Sequence, residues 1–131
     1  MMTMINLMNR TTILVIAAIV AVIFMMKKSG QISARDAVEK LKAGALVIDV
    51  RSAGEFSSGH LAKAMNIPLG EIDTALPQRV KDKSQALLLH CASGMRSGMA
   101  KRKLKAMGYT NVFNLGGYGR AETIIGNAHG K

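Results

Sequence analysis

Two short runs, Ala45–Val50 (ALVIDV) and Ala86–His90 (ALLLH), are almost wholly apolar, and each gives way at once to a polar, glycine-containing loop. Strands without polar alternation are buried on both faces, which requires helices on both sides of a parallel sheet. Asn111–Leu115 reads as a further strand, and Met65–Ile67 as a brief one stopped by Pro68. Helical patterns separate them. Ser33 is an N-cap with Asp36 three residues on and Gly44 as terminator, and Ala37, Val38 and Leu41 form the apolar stripe between. Glu71–Val80 reads as helical with an interruption near Pro77, and Ser97–Met107 as a helix ended by Gly108, its inward stripe being Ala100, Leu104 and Met107. Arg51–Glu55 reads as a loop leading into EFSSGH. Strands alternating with helices, without internal repeat, predict an α/β fold with a parallel sheet.

Ahead of this pattern, Thr11–Met26 is a run of sixteen uncharged residues closed by Arg10 on one side and Lys27 and Lys28 on the other. At 1.5 Å per residue it reaches about 24 Å against a hydrocarbon core of about 30 Å, a deficit that snorkelling of the three basic residues and local thinning offset. Ile5, Leu7 and Met8 add apolar contact upstream. The heavier positive charge follows the run, and MMKKSG offers no small-x-small cleavage site, so the reading is one transmembrane helix rather than a signal peptide. The expected organisation is therefore a short N-terminal segment over 1–10, the span over 11–26, a linker over 27–31 and one domain over 32–131. Lys27, Lys28, Arg35, Lys40 and Lys42 all follow the span closely, which by the positive-inside rule places the domain in the cytoplasm, single-pass on the cell membrane.

The chain has one cysteine, so no intramolecular disulfide is possible, and Cys91 is either a small buried apolar residue or a reactive group. Its position favours the second. Cys91 follows ALLLH where a strand gives way to a loop and a helix, the place where open α/β sheets bind ligands. Arg96 follows at C-x4-R spacing across Ala92, Ser93, Gly94 and Met95, and Gly94 allows the loop to turn successive N–H groups inward. Such a ring, with the positive end of the helix beginning near Ser97, stabilises an anion and equally a thiolate.

The loop CASGMRS resembles the active-site loop of the rhodanese family, and DVRSAGEFSSGHLAKAMNIP resembles its other signature, through Asp49, Arg51, Glu55, Phe56, Gly59, His60, Asn66 and Pro68. LGGYGRA is similar to the family's closing segment, so the resemblance covers about residues 32–120. It implies a three-layer α/β/α fold around a five-stranded parallel sheet, and a thiosulfate sulfurtransferase-like transferase in which Cys91 takes sulfur from a small anionic donor, carries it as a persulfide and passes it to a thiol or cyanide. No metal or organic cofactor is implied. Cys91 is then the nucleophile, and the backbone of Ala92–Ser97 holds the persulfide. Arg96 attracts and orients the donor, and Ser93 and Ser97 add hydroxyl donors. Arg51 either lines the pocket or pairs with Glu55, and Asp49 orders the loop. After Leu115-Gly116-Gly117 the family's usual aromatic residue and longer final helix are absent, by this reading.

Phosphatases built on a similar loop use C-x5-R, one residue longer to hold a tetrahedral phosphate, and the shorter ring here fits a single sulfur atom. A membrane-tethered persulfide relay or docking module with little turnover of its own is the alternative, with a protein partner that the sequence does not identify. From Gln31 onward fifteen basic residues face eight acidic ones, a net of +7, but no aromatic-interleaved basic stretch or zinc-finger spacing points to nucleic acid. Lys101, Arg102, Lys103 and Lys105 read as a solvated helix face, with contact to anionic lipid as the second reading. His60 and His90 are read as structural, and the ten methionines as apolar filler.

Overall fold

The computed structural model describes residues 9–130 and divides into two units, one ending at Gly30 and one beginning at Gln31. Among its described residues the first holds one helix, α1 (Arg10–Ser29), capped by Asn9, whose side chain accepts from the Thr12 N–H at 2.9 Å. Its apolar residues are exposed on all sides, Leu14 at 69% and Phe24 at 66%. Among the described residues no helix is long and apolar enough to cross a membrane. The transmembrane span expected over Thr11–Met26 therefore lacks support among the described residues. Ile5, Leu7 and Met8, and the side chains of Lys27 and Lys28, lie outside the described residues.

The second unit runs α2 (Ala34–Lys42), β1 (Leu46–Asp49), α3 (Ala53–Ser58), β2 (Met65–Asn66), a 3-10 turn (Leu69–Glu71), α4 (Ile72–Arg79), β3 (Leu87–His90), α5 (Met95–Ala106), β4 (Val112–Gly116) and α6 (Tyr118–His129). The strands form one parallel sheet of four in the order β2-β1-β3-β4, with Val47 opposite Leu88 and Leu88 opposite Phe113. The sheet has four strands and not the five that the resemblance implied; beside β4 the end of the expected linker makes one bridge, Gln31 to Asn114, with the Ile32 N–H on the Asn114 carbonyl at 3.0 Å. The pairing stops there because Ser33 turns the chain into α2, its hydroxyl accepting from the Asp36 N–H at 3.1 Å.

Period-two alternation within the apolar strands builds both layers of core. Ile48, Val50, Leu87 and Leu89 point to one face and pack with Ile72 and Leu76 of α4 and Ala100 and Leu104 of α5. Val47 and Leu88 point to the other, against Ala37 of α2 and Ala121, Ile124 and Ile125 of α6. Fully burying a Leu or Ile contributes roughly 1.5–3 kcal/mol, so both layers are needed to offset chain entropy.

Two readings of the sequence are corrected. The segment after Arg51 is not a plain loop but helix α3, opened by a capping box: the Ser52 hydroxyl accepts from the Glu55 N–H at 3.2 Å, and Glu55 accepts from the Ser52 N–H at 3.1 Å. The tail does form a final helix of twelve residues, because Ala121, Ile124 and Ile125 at i, i+3, i+4 spacing have a sheet face to cover. Pro77, the sixth of the eight residues of α4, does not end it; lacking an N–H, it forgoes the one backbone bond that would run to the Asp73 carbonyl.

Candidate active site

Cys91 is the first residue beyond β3, and its N–H is held by the Gly116 carbonyl at 3.2 Å. The chain then turns tightly at Gly94, whose left-handed backbone (φ +96°) a side chain would strain. This turn makes Gly94 the N-cap of α5, so the helix starts at Met95, two residues before the expected position. The earlier start puts both loop and first-turn N–H groups around the sulfur. Cys91 Sγ accepts from the Gly94 N–H at 2.9 Å and from the Ser97 N–H at 3.5 Å, with the Ser97 hydroxyl also at 3.5 Å.

Burial of Cys91, which has no exposed surface, pushes its thiol pKa up. The Ser97 hydroxyl and the N–H groups of Ser97, Ser93 and Gly94 outweigh this, and the net effect is a pKa below the ordinary thiol value. The N-terminal end of α5 acts in the same direction. Arrangements of this kind hold negative charge on sulfur, whether a thiolate or the terminal sulfur of a persulfide.

The loop is braced by β4. The Ser93 segment bridges to Gly117, and the Tyr118 N–H reaches the Ala92 carbonyl at 3.3 Å. A Cβ on Gly117 would stand 2.8 Å from the Ala92 carbonyl oxygen, so only glycine allows this approach. Asn114, buried at 5% exposure, ties the loop from below. Its Oδ1 accepts from the Ser97 hydroxyl at 2.7 Å and the Gly116 N–H at 2.9 Å, while its Nδ2 donates to the Gly94 carbonyl at 3.1 Å. Sequence reasoning missed Asn114; the only available signal was a polar residue in an otherwise apolar strand.

The arginines depart from expectation. Arg51 is buried and pairs with Asp49, not Glu55: Nη2 to Oδ2 at 2.8 Å, Nε to both carboxylate oxygens, and a second Nη2 bond to the Gly59 carbonyl at 2.7 Å. Asp49 also accepts from the Arg51 N–H at 2.9 Å, so it does order this turn. Glu55 instead takes Arg96, with Nη1–Oε1 at 2.7 Å and Nη2–Oε2 at 3.0 Å, and both side chains are 36% exposed. The Arg96 guanidinium, followed by the Ser52 N–H, holds the Glu55 carboxyl down at a pKa of about 2. Arg96 also feels the charge of Cys91.

Neither His60 nor His90 bonds to the sulfur in this structure. His60 stacks on Phe56 with ring centroids 3.8 Å apart and bonds its carbonyl at 2.9 Å. His90 is fully buried, which lowers its pKa, with Nδ1 3.5 Å from the Cys91 carbonyl and Nε2 3.7 Å from Asp49. Met95, 76% exposed, contributes to the loop by its backbone position at the start of α5.

A strand-borne cysteine inside a short N–H crown defines the class, and comparison with known families agrees: residues 33–120 match the rhodanese-like domain, and the chain belongs to that family. It is 41% identical over 70 residues to Thiosulfate sulfurtransferase PspE of Escherichia coli (strain K12), covering 53% of this chain and 67% of that protein. Among solved structures, a rhodanese with anions from E. coli matches at 38% identity and a TM-score of 0.57, over 59% of this chain and 91% of that one. A human single-domain sulfurtransferase, TSTD1, matches at 26% identity and a TM-score of 0.61, over 73% and 96%. The chain is thus a rhodanese-like sulfurtransferase by family. It spans 67%, 64% and 36% of the length of three curated relatives it matches.

Proposed function

We propose that this chain moves sulfane sulfur from a donor such as thiosulfate to a thiol or cyanide through a persulfide on Cys91. The Cys91 thiolate attacks the outer sulfur of the donor; a new S–S bond forms, the donor's S–S bond breaks, and sulfite leaves with the electron pair. The acceptor thiolate or cyanide then attacks the outer persulfide sulfur, and Cys91 departs as the thiolate it began as. No proton is consumed. The observation that carries this reading is the N–H crown of Gly94 and Ser97 on Sγ, which stabilises the anion at both ends of the cycle.

The test is direct. The full chain mixed with thiosulfate is expected to gain one sulfur by intact mass and to release it as thiocyanate on adding cyanide, while Cys91→Ala gains none. A wild-type chain that stays unmodified by thiosulfate and by an alkyl hydropersulfide alike refutes the reading. One that loads but passes sulfur only to a captured protein acceptor favours the relay form of it.

For α1 we propose insertion into a lipid bilayer, with the domain on the cytoplasmic side. The support is an apolar surface exposed on every side of the helix, as at Ile13, Leu14 and Phe24, followed by Lys27 and Lys28. Membrane pelleting that resists carbonate extraction and is lost on deleting residues 1–30 is the expected result; a chain that stays in the supernatant rules it out.

A further inference from the structure

Two arginines come from the segments that follow β1 and β3, and each already holds a carboxylate; of the two, Arg96 feels the charge of Cys91. Arg51 is spent on Asp49, buried and bonded through two of its nitrogens. Arg96, the group that an oxyanion beside the sulfur would engage, has both terminal nitrogens on Glu55. The planar fork of an arginine presents the same paired N–H groups to a carboxylate and to a sulfonate, so Glu55 and the sulfonate of a donor are alternatives at one position.

Glu55 is not a casual surface partner. It is the third residue of α3, and its Oε1 also accepts the Ser52 N–H at 3.1 Å while the Ser52 hydroxyl accepts its own N–H at 3.2 Å. Swinging the carboxylate away from Arg96 strains or breaks the cap of α3. The carboxylate stays charged at every pH at which a sulfurtransferase works, since its pKa lies near 2.

We propose that Glu55 is a specificity-determining residue: its carboxylate occupies the Arg96 fork beside the Cys91 thiolate, so it competes with the oxyanion of a polyanionic sulfur donor and favours donors of low charge. This rests on the Cys91 persulfide reading. The chemistry of transfer is unchanged; Glu55 forms and breaks no covalent bond, and acts on which donor settles at the sulfur.

The experiment compares two donors, thiosulfate, a dianion with a sulfonate, and an alkyl hydropersulfide, which carries at most one charge and no oxyanion, loading the purified full chain and its Glu55→Gln variant, with persulfide followed by intact mass. Gln keeps the shape and an oxygen for the Ser52 N–H but removes the charge. The half-saturating thiosulfate concentration is expected to fall about two- to fivefold, the size of one partly exposed charge interaction, with the limiting rate changed by less than about twofold. Loading by the alkyl hydropersulfide, which has no oxyanion for the fork, changes far less. Thiosulfate loading of the variant also becomes more sensitive to added salt, because the freed guanidinium is a screened charge; loss of a helix cap alone does not produce that signature.

A second measurement needs no variant. On the wild-type chain, millimolar sulfate is expected to leave loading by the alkyl hydropersulfide unaffected, because Glu55 already fills the fork. Competitive inhibition by sulfate overturns the proposal, as does a Glu55→Gln variant with unchanged or weakened use of thiosulfate. A wild-type chain loaded by neither donor overturns the persulfide reading and this one with it; a chain loaded by both with an unshifted preference overturns this one alone.

Discussion

Replacing Asp49 by Ala should be the most damaging single change near the site, although Asp49 takes no part in the chemistry. Its carboxylate is fully buried, and it balances Arg51, itself only 8% exposed, through contacts of 2.8 to 3.1 Å. Removing one partner of a buried pair strands the other charge and costs about 3–5 kcal/mol. The Gly59 carbonyl remains on Arg51 Nη2 at 2.7 Å, which places the expected loss at the lower end of that range. At about 4–8 °C per kcal/mol for a domain of this size, a loss of about 3 kcal/mol lowers the melting temperature by about 12–24 °C. Tyrosine fluorescence is a convenient probe, because the chain has no Trp and both tyrosines, Tyr109 and Tyr118, lie in the domain. The double variant Asp49→Ala/Arg51→Met should recover part of the loss, since it leaves no stranded charge. The reasoning is refuted if Asp49→Ala melts within about 4 °C of wild type, or if the double variant is less stable than the single one.

Two further outcomes follow from the same geometry. Alkylation of Cys91 by iodoacetamide should rise with pH through an inflection below that of an ordinary thiol, and Ser97→Ala should move the inflection upward, because Ser97 supplies the largest of the bonds that favour the thiolate; an inflection that stays in place contradicts this. The Glu55 carboxyl, followed by carbon NMR, should titrate near 2 instead of its ordinary 4.5. Its folded value is depressed, so the contribution of the Glu55–Arg96 pair is present above about pH 4.5 and fades as pH falls toward 2, and Arg96→Ala should return the midpoint toward 4.5.

The sequence was informative where a physical requirement is local. Strands buried on both faces admit only apolar residues, so Ala45–Val50 and Ala86–His90 declared the parallel sheet, and Ser33 with Asp36 declared the start of α2. The C-x4-R spacing from Cys91 likewise fixed a tight loop between a strand and a helix. The EFSSG helix was misread, because its capping box, Ser52 and Glu55, lies three residues apart in a stretch too short and too polar to show an apolar stripe.

What only the tertiary structure decided was partnership across the chain. Sequence proximity suggested Arg51 with Glu55, four residues on; the fold instead turns Arg51 inward to Asp49 and brings Arg96, forty-one residues distant, to Glu55. Asn114 under the loop and Gly117 against Ala92 depend on β4 lying beside β3, a neighbour relation no local pattern encodes. The fifth strand was lost, and the final helix gained, for the same reason: whether Gln31 extends a sheet or Ile124 covers one depends on which surface the rest of the fold leaves open. Backbone propensity and burial pattern are properties of a segment, and the sequence states them. Which charge meets which, and which N–H groups converge on Cys91 Sγ, are properties of several segments packed together, and the fold alone sets them.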